Sequence, residues 1–322
     1  MSSGPSLSGE TITVERRLSS DQIAAVEGLV ADATATDRVR PLSEHVWLHL
    51  RGGGDPSSHH ILVNHESTLV GYAHLDTTDL VLGPSAEMAV LPAHRREGVG
   101  HRLIEKLIDL SPDGRLRLWA HGDSSGAHHL AETMGFSQTR VLWQMRRSLF
   151  AGLPTLDLPA GVELRTFIRG QDEGAWLDLN QRAFAHLPDQ GNWSSADLDL
   201  RLAEDWCDPT GFFLAYRGDR LVGFHWTKVH GGHHHHADGP AHHDHDAIGE
   251  VYVIAVDPNE QGSGLGRALT IAGLAHLRDT GLGQAMLYVD ASNTRAVGMY
   301  EGLGFSRWDT DVLFTRGLDE TG

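Results

Sequence analysis

Two stretches of the chain, Glu87–Leu107 and Val253–Leu274, carry one pattern in register. Pro92 pairs with Pro258, Gly98 with Gly264 and Gly100 with Gly266, each pair 166 positions apart. Each stretch is followed by a strand-like run, Leu116–His121 or Ala285–Asp290, and then by a short helical segment ending in Met134-Gly-Phe136 or Leu303-Gly-Phe305. Solenoid units run about 20–50 residues, so a period this long points to duplication of a whole domain. The 322 residues have room for two domains, at roughly 100–200 residues each. Between the copies, Ala151–Ala160 has two prolines and no helical periodicity, which marks a linker. The expected domains are therefore 1–150 and 161–322, joined by 151–160.

Each half reads as an opening strand, one or two helices and a few antiparallel strands, then strand, Gly-rich turn, helix, strand, helix and strand. In the second half, helices are expected around Glu173–Phe184 and Ala196–Ala203, and Phe212–Tyr216 and Leu221–Val229 form a hairpin around Arg217–Arg220. The fold class is α/β in the mixed α+β sense: two tandem domains, each a mostly antiparallel mixed sheet flanked by helices.

The formal charge of −17 would repel a phosphate backbone, so no nucleic-acid partner is expected. Cys207 is the single cysteine, which excludes an internal disulfide framework. The start of the sequence has no apolar stretch of signal-peptide type, and apolar runs such as Val251–Val256 fall far short of the roughly 20 residues that span a bilayer. A cytoplasmic protein with no membrane partner, and a monomer, is the expectation.

His230–Gly249 interrupts the second copy with eight histidines. Neutral imidazoles suit zinc, copper or nickel. Structural zinc sites favour fixed spacings and some cysteine, however, so the composition is read as a solvated loop between two strands, with no metal required.

The repeated turn carries the chemistry. In the second copy a buried strand stops at Pro258, and Gln261-Gly-Ser-Gly-Leu-Gly-Arg267 leads into an amphipathic helix. Glycines there let a ligand approach the backbone and aim several N–H groups at one point, where the helix dipole favours an anion. A pyrophosphate cradle and a tight packing turn both fit this segment alone. It lacks the Lys-Ser/Thr of a P-loop and the spacing of a dinucleotide fingerprint. Its recurrence as Arg95-Arg-Glu-Gly-Val-Gly100, with the same downstream elements, favours the cradle.

With these motifs the sequence resembles the GCN5-related N-acetyltransferase (GNAT) family, whose Gln/Arg-x-x-Gly-x-Gly/Ala signature binds the pyrophosphate of acetyl-CoA. Gln261-x-x-Gly264-x-Gly266 and Arg95-x-x-Gly98-x-Gly100 both match, as does the closing segment from Asn293 through Tyr300 to Phe305. Five further stretches look like the mycothiol-forming tandem branch of that family: Pro41–Val46, Asp189–Trp193, Gly223–His230, Gly249–Val253 and Leu287–Val289. Phe224-His-Trp-Thr-Lys228 is the most specific of the matching strings. The resemblance covers both halves. It implies acetyl transfer from acetyl-CoA, as cosubstrate, to the cysteinyl amine of a small thiol–sugar, a cysteine–glucosamine–inositol conjugate.

The resemblance also implies the site residues. Glu250 is the expected base, acting through a water, and Tyr300 the acid that protonates the leaving thiolate. From sequence alone a strand-end carboxylate and a core aromatic fit these two positions as well. Aligning the Gly-Phe endings puts Ala131 at the place of Tyr300, so the first half lacks the full catalytic set. Backbone groups of Ile254, Ala255 and Val256 are expected to hold the acetyl and pantetheine arm, and Gln261, Gly262, Ser263, Gly264, Leu265, Gly266 and Arg267 the pyrophosphate. Asn293, Thr294 and Arg295 are expected near the pantetheine or the adenosine phosphate. The first-copy equivalents are Met88, Ala89 and Val90, with Arg96, Glu97, Gly98, Val99, Gly100 and His101. Acceptor contacts are assigned to Glu44, Asp189, Lys228, Glu250 and Tyr288; Asp189 stands where the family pattern is expected to have Glu.

Two competing classes remain at this stage. One is a GNAT enzyme for another small amine or a protein N-terminus. The other is a CoA-sensing or metal-storing protein, against which the presence of both Glu250 and Tyr300 argues.

Overall fold

The computed structural model describes residues 9–43, 46–47, 50, 58–77, 83–111, 114–185, 187–204, 206–230 and 247–317. The His-rich residues 231–246 and Glu44 lie outside the described residues. The chain divides into two compact units, Met1–Leu142 with Asp309–Gly322, and Trp143–Trp308.

In the first unit β1 (Glu10–Glu15), β2 (Ser58–His65), β3 (Thr68–Asp76) and β4 (Ser85–Val90) form an antiparallel run, and β5 (Leu116–His121) joins β4 in parallel. The next strand is β12 (Ser306–Arg316), the last of the chain, antiparallel to β5. Helix α1 (Ser20–Asp37) covers one face, burying Val26, Leu29 and Val30 against Leu62, Tyr72 and Ala89. Its start is set by a capping box in which Ser19 and Gln22 each bond the other's backbone N–H. On the opposite face α2 (Val99–Leu110) and α3 (Ser125–Thr133) enclose a second core around Leu103, Ile104, Leu107 and Ala131.

In the second unit the end of β6 (Ser137–Ser148) lies beside β11 (Gln284–Asp290), followed in order by β10 (Ile248–Val256), β9 (Arg220–His230), β8 (Phe212–Arg217) and β7 (Glu163–Thr166). Helices α4 (Glu173–Ala183), α5 (Pro188–Gly191) and α6 (Ser195–Leu202) precede β8. Trp176, Leu179, Leu198 and Leu202 from α4 and α6 pack on Phe212, Phe224 and Trp226 on one face. The other face carries α7 (Leu265–Asp279) and α8 (Thr294–Glu301).

The limits 1–150 and 161–322 follow the sequence repeat, whereas the compact units follow strand pairing. By the repeat, β12 would close the second half's own sheet. Instead β12 hydrogen-bonds β5, over Asp311↔His121 through Arg316↔Leu116, and the end of β6 takes the place beside β11. Motif spacing carries no information about which of two equivalent edges a final strand adds to.

The Phe224–Lys228 string is a strand read with period two. Phe224 and Trp226 join the core beneath α4 and α6, and Lys228 follows on that face. His225 and Thr227 point the other way: His225 Nδ1 lies 2.7 Å from the Leu269 carbonyl of α7, and Thr227 donates to the Gly211 carbonyl at 2.9 Å. Burial holds the His225 pKa down at about 4, so the ring is neutral. Gly273 lets α7 approach this ring, because a Cβ there would overlap it.

Candidate active site

Strand β10 pairs with β11 only at Gly249↔Ala285, Glu250↔Met286 and Val251↔Leu287. Beyond Val251 the two diverge, and among the described residues the edge of Tyr252–Val256 that faces β11 has no strand partner. A bulge assists the divergence: Val251 lies opposite Thr227 and Val253 opposite Trp226, leaving Tyr252 as the extra residue. Val253 consequently joins Tyr252 on the α4/α6 side, whereas Val251 faces α7 and α8. Ile254, Ala255 and Val256 thus present backbone groups to an open gap while their other edge is bonded to β9.

The ionisable residues divide across this gap. Glu250 and its cross-strand partner Lys228 share the α4/α6 face and are 7 % and 4 % exposed. The Glu250 Oε2 is 2.6 Å from Nε2 of His230. Lys228 Nζ lies 4.5 Å from the Trp206 ring centre and 5.3 Å from that of Tyr252. Arg201 of α6 donates to the Tyr252 hydroxyl at 3.0 Å. Tyr300 stands on the other side, in the core formed by Val251, Leu287 and Phe305. Burial raises its phenol pKa, which keeps the proton in place near neutrality. Among the described residues the Tyr300 hydroxyl has no hydrogen-bond partner. A base on one face, a phenol on the other and an open strand edge between them can take a proton from an amine and give one to a leaving group.

At the top of the gap the 3₁₀ turn Pro258–Glu260 leads to the glycines. Glu260 is clamped by Arg217 and Arg220 of the β8–β9 hairpin, each at 3.0 Å. Gly262 and Gly264 have φ of +87° and +88°. Gly264 ends the turn as the N-cap of α7 without a side-chain bond of its own; the Leu265 N–H donates to the Ser263 hydroxyl at 3.3 Å, and the next N–H groups, of Gly266 and Arg267, are placed for a ligand. The Arg295 guanidinium reaches the same turn, 3.3 Å from where a Gly262 Cβ would lie. Gln261, Ser263 and Arg267 are exposed around it, and Leu265 is buried beneath. Asn293 caps α8 by accepting from the Ala296 N–H at 3.1 Å, with Thr294 exposed beside it.

The first unit repeats the turn, with a shorter gap. Arg96 and Gly98 have φ of +67° and +84°, matching Gly262 and Gly264, and Gly98 likewise caps α2 without a side-chain bond. A non-glycine residue in this conformation costs about 1–3 kcal/mol. A cavity of 540 Å³ lies against this turn, between Arg95, Arg96 and the start of α3 at Ser125, Gly126 and His129. Arg95 is held by both carboxylate oxygens of Asp37, at 2.7 and 2.6 Å. Glu97 pairs with His94 and His101 with Glu105. Beside Val99 and Gly100, however, β4 pairs with β5 as far as Glu87↔Trp119, leaving only Met88, Ala89 and Val90 unpaired on that edge, and its pairing with β3 has no bulge.

Comparison with known proteins agrees with this geometry. The model of the acetyltransferase (GNAT) family matches residues 27–136 and again 175–305. A mycothiol acetyltransferase of Streptosporangium roseum is 51 % identical, over 93 % of this chain and 97 % of its own. One from Acidothermus cellulolyticus is 53 % identical, over 94 % of this chain and 93 % of its own. The chain belongs to the mycothiol acetyltransferases of the GNAT family. A tandem GNAT protein of the clavulanic acid pathway, 16 % identical, superposes over 95 % of this chain and 98 % of its own with a TM-score of 0.70, which shows the shared fold.

Of the acetyltransferase residues read from sequence, the structure brings Glu250 and Lys228 together and puts Tyr288 on the same face, two residues beyond the Met286 that pairs with Glu250. It brings Gly262 and Arg295 together at the turn. Asp189 lies in α5, with its side chain outside the described residues. Sequence reasoning missed His230, whose place two residues after Lys228 on a strand was the available signal. It also missed the row beside Tyr288: Gln144 donates to the Tyr288 hydroxyl at 2.8 Å, and Arg146 lies 4.4 Å from the ring centre of exposed Trp308. Nothing in the motifs relates strand β6 to this face. No helix among the described residues is long and apolar enough to cross a membrane.

Proposed function

We propose that the protein transfers the acetyl group of acetyl-CoA to the cysteinyl amine of a cysteine–glucosamine–inositol conjugate, giving mycothiol and CoA. It does so in the second repeat, residues 161–322, with the first repeat, 1–150, lacking chemistry. The observation that carries the reading is the opened edge of β10, with buried Glu250 on one face and buried Tyr300 on the other. Around half of all residues are shared with mycothiol acetyltransferases over nearly the whole chain, which supports the acceptor.

Acetyl-CoA supplies an activated thioester and a thiolate leaving group. The glycine turn and Arg295 suit its pyrophosphate, and the free backbone edge of Tyr252–Val256 suits its pantetheine arm. The acceptor amine reaches neutral solution as an ammonium ion, and Glu250 takes its proton, directly or through a water. As the nitrogen bonds the carbonyl carbon and the C–S bond breaks, the Tyr300 hydroxyl donates its proton to the sulfur, and the phenolate regains one from the nitrogen, which is left as the neutral amide. Lys228 and Tyr288 share the face of Glu250 and are the groups that would orient the acceptor's polar end. The site works in the cytoplasm on a small molecule, and the protein is a monomer in this reading.

The test is acetyl-CoA consumption measured in parallel with cysteinyl-glucosaminyl-inositol, glucosaminyl-inositol and free cysteine. Preference for the first by two orders of magnitude in kcat/KM is expected. Equal turnover of an unrelated amine would overturn the acceptor assignment.

A further inference from the structure

The base in this mechanism receives a proton in every turnover and is almost shut off from water. The Glu250 side chain is 9 % exposed and that of His230 is 35 % exposed, with Nε2 and Oε2 2.6 Å apart. His230 follows Lys228 by two on β9, so its ring belongs to the face on which Glu250 lies. Among the described residues, the other charged or titratable groups on this face include Lys228, the direct cross-strand partner of Glu250, Tyr252 on β10, Tyr288 on β11, and Arg201 and Glu204, both of which act on Tyr252. On β11 the partner of Glu250 is Met286, which neither donates nor accepts a proton. Of these groups His230 is the one in hydrogen-bond contact with the Glu250 carboxylate.

We propose that His230 is the proton relay of this site, holding the Glu250 carboxylate in place and passing its proton to solvent once the acceptor amine has been deprotonated. The proposal rests on Glu250 acting as the base. The balance closes without a further reactant. In the resting site Nε2–H donates to Oε2 and holds the carboxylate. Once the amine has given its proton to Glu250, the ring exchanges through solvent at its exposed edge to the Nδ1–H tautomer, and the carboxylic acid donates to Nε2 and returns to carboxylate. The imidazolium then loses its Nδ1 proton to water, which restores the resting Nε2–H contact. Imidazole suits the step because its pKa lies nearest neutrality among the side chains.

Two variants separate relay from mere positioning. His230→Gln can keep a donor on Oε2 and cannot carry a proton; His230→Ala leaves space for free imidazole. The purified full-length variants are assayed with acetyl-CoA and cysteinyl-glucosaminyl-inositol, and acetyl-CoA binding is measured separately by calorimetry to establish that each is folded. Both should lose about 10–100-fold in kcat, with KM for acetyl-CoA within about threefold of wild type. Added imidazole, in proportion to its unprotonated fraction, should restore His230→Ala at least fivefold and leave His230→Gln unchanged. Wild-type kcat in His230→Gln, or a slow His230→Ala that imidazole does not accelerate, would overturn the relay. If His230→Ala fails to bind acetyl-CoA, the kcat of His230→Gln decides alone. Glu250→Gln is run alongside: if it retains wild-type kcat, the base assignment itself has failed, an outcome distinct from failure of the relay.

Discussion

Tyr300 and Ala131 hold one structural position in the two copies, each offering its carbonyl to the phenylalanine five residues on: Phe305 N–H at 3.0 Å and Phe136 N–H at 2.9 Å. The alignment of the Gly-Phe endings is therefore a backbone equivalence, and the copies differ there by one phenol. Tyr300→Phe keeps the ring in its core and removes a hydroxyl that has no hydrogen-bond partner among the described residues, so stability should hardly change. The expected loss is about 10²–10⁴-fold in kcat, with acetyl-CoA affinity by calorimetry within twofold. Unchanged kcat at saturating substrates would remove Tyr300 from the mechanism.

Glu250→Gln preserves the shape of a buried side chain and ends its capacity to accept a proton. Turnover should fall by about 10²–10⁴-fold, and the acidic limb of the kcat/KM profile should disappear from what activity remains. Survival of that limb would point to a different base.

The glycine turns and the helices that follow them were legible because local geometry dictates composition: positions 262, 264 and 98 need left-handed backbone, and their amphipathic helices have the expected period. The roles proposed for Glu250, Lys228 and Tyr300 rest on resemblance, since a buried carboxylate on a strand leaves no periodic trace. The bulge at Tyr252, the strand exchange of β6 and β12, and the His230 contact were not legible. Each depends on which strands pair, and pairing is decided by tertiary packing that alternation of apolar residues does not encode.

A buried charge network in the first unit sets a pH window for stability. The His121 ring lies between two carboxylates, Nδ1 3.1 Å from Asp311 and Nε2 3.4 Å from Glu87. Burial alone would lower the His121 pKa, but the Glu87 charge, with Asp311, outweighs it and raises the value to about 10. Burial also works against the Glu87 charge; His121 and Ser43 overcome it, and the net shift is downward. Since the folded His121 pKa exceeds the ordinary 6.5, its stabilisation is full below that pH and fades as pH rises through about 10. His121→Gln should therefore cost about 3–5 kcal/mol at pH 7 by urea unfolding. The gap to wild type should narrow progressively from about pH 6.5 to about pH 10 and change little above that. A gap constant from pH 7 to 11 would show that the charge does not matter.

Gly273 tests the contact that seats α7 on the sheet. Alanine at this position favours the helix by about 1 kcal/mol on propensity alone. Its Cβ would nevertheless overlap His225, a fully buried ring bonded to the Leu269 carbonyl. The steric term should win, with a net loss of about 1–3 kcal/mol. A thermal midpoint at or above wild type would mean that the ring can move aside.

The division of labour between the copies is tested best at Gly266 and Gly100. Replacing Gly264 or Gly98 would confound ligand contact with backbone strain, because both have positive φ. A Cβ at Gly266 would meet the protein only at ordinary distances, 3.6 Å from Val256 Cγ2 and 3.9 Å from Met299 Sδ, so Gly266→Ala should fold normally. It would still stand at the first turn of α7, where the proposed reading brings a pyrophosphate to the backbone. Gly100→Ala places its Cβ 3.0 Å from Leu130 Cδ2, so a small loss of stability is expected from that crowding. Gly266→Ala should raise KM for acetyl-CoA at least tenfold. Gly100→Ala should leave kcat/KM within about threefold, because the first copy has Ala131 in place of the phenol and a β4 that stays paired to Glu87. Both variants are first checked for folding by their unfolding midpoints. If folded Gly100→Ala loses activity as severely as Gly266→Ala, the first cradle is an obligatory cofactor site and the assignment of all chemistry to the second repeat is wrong.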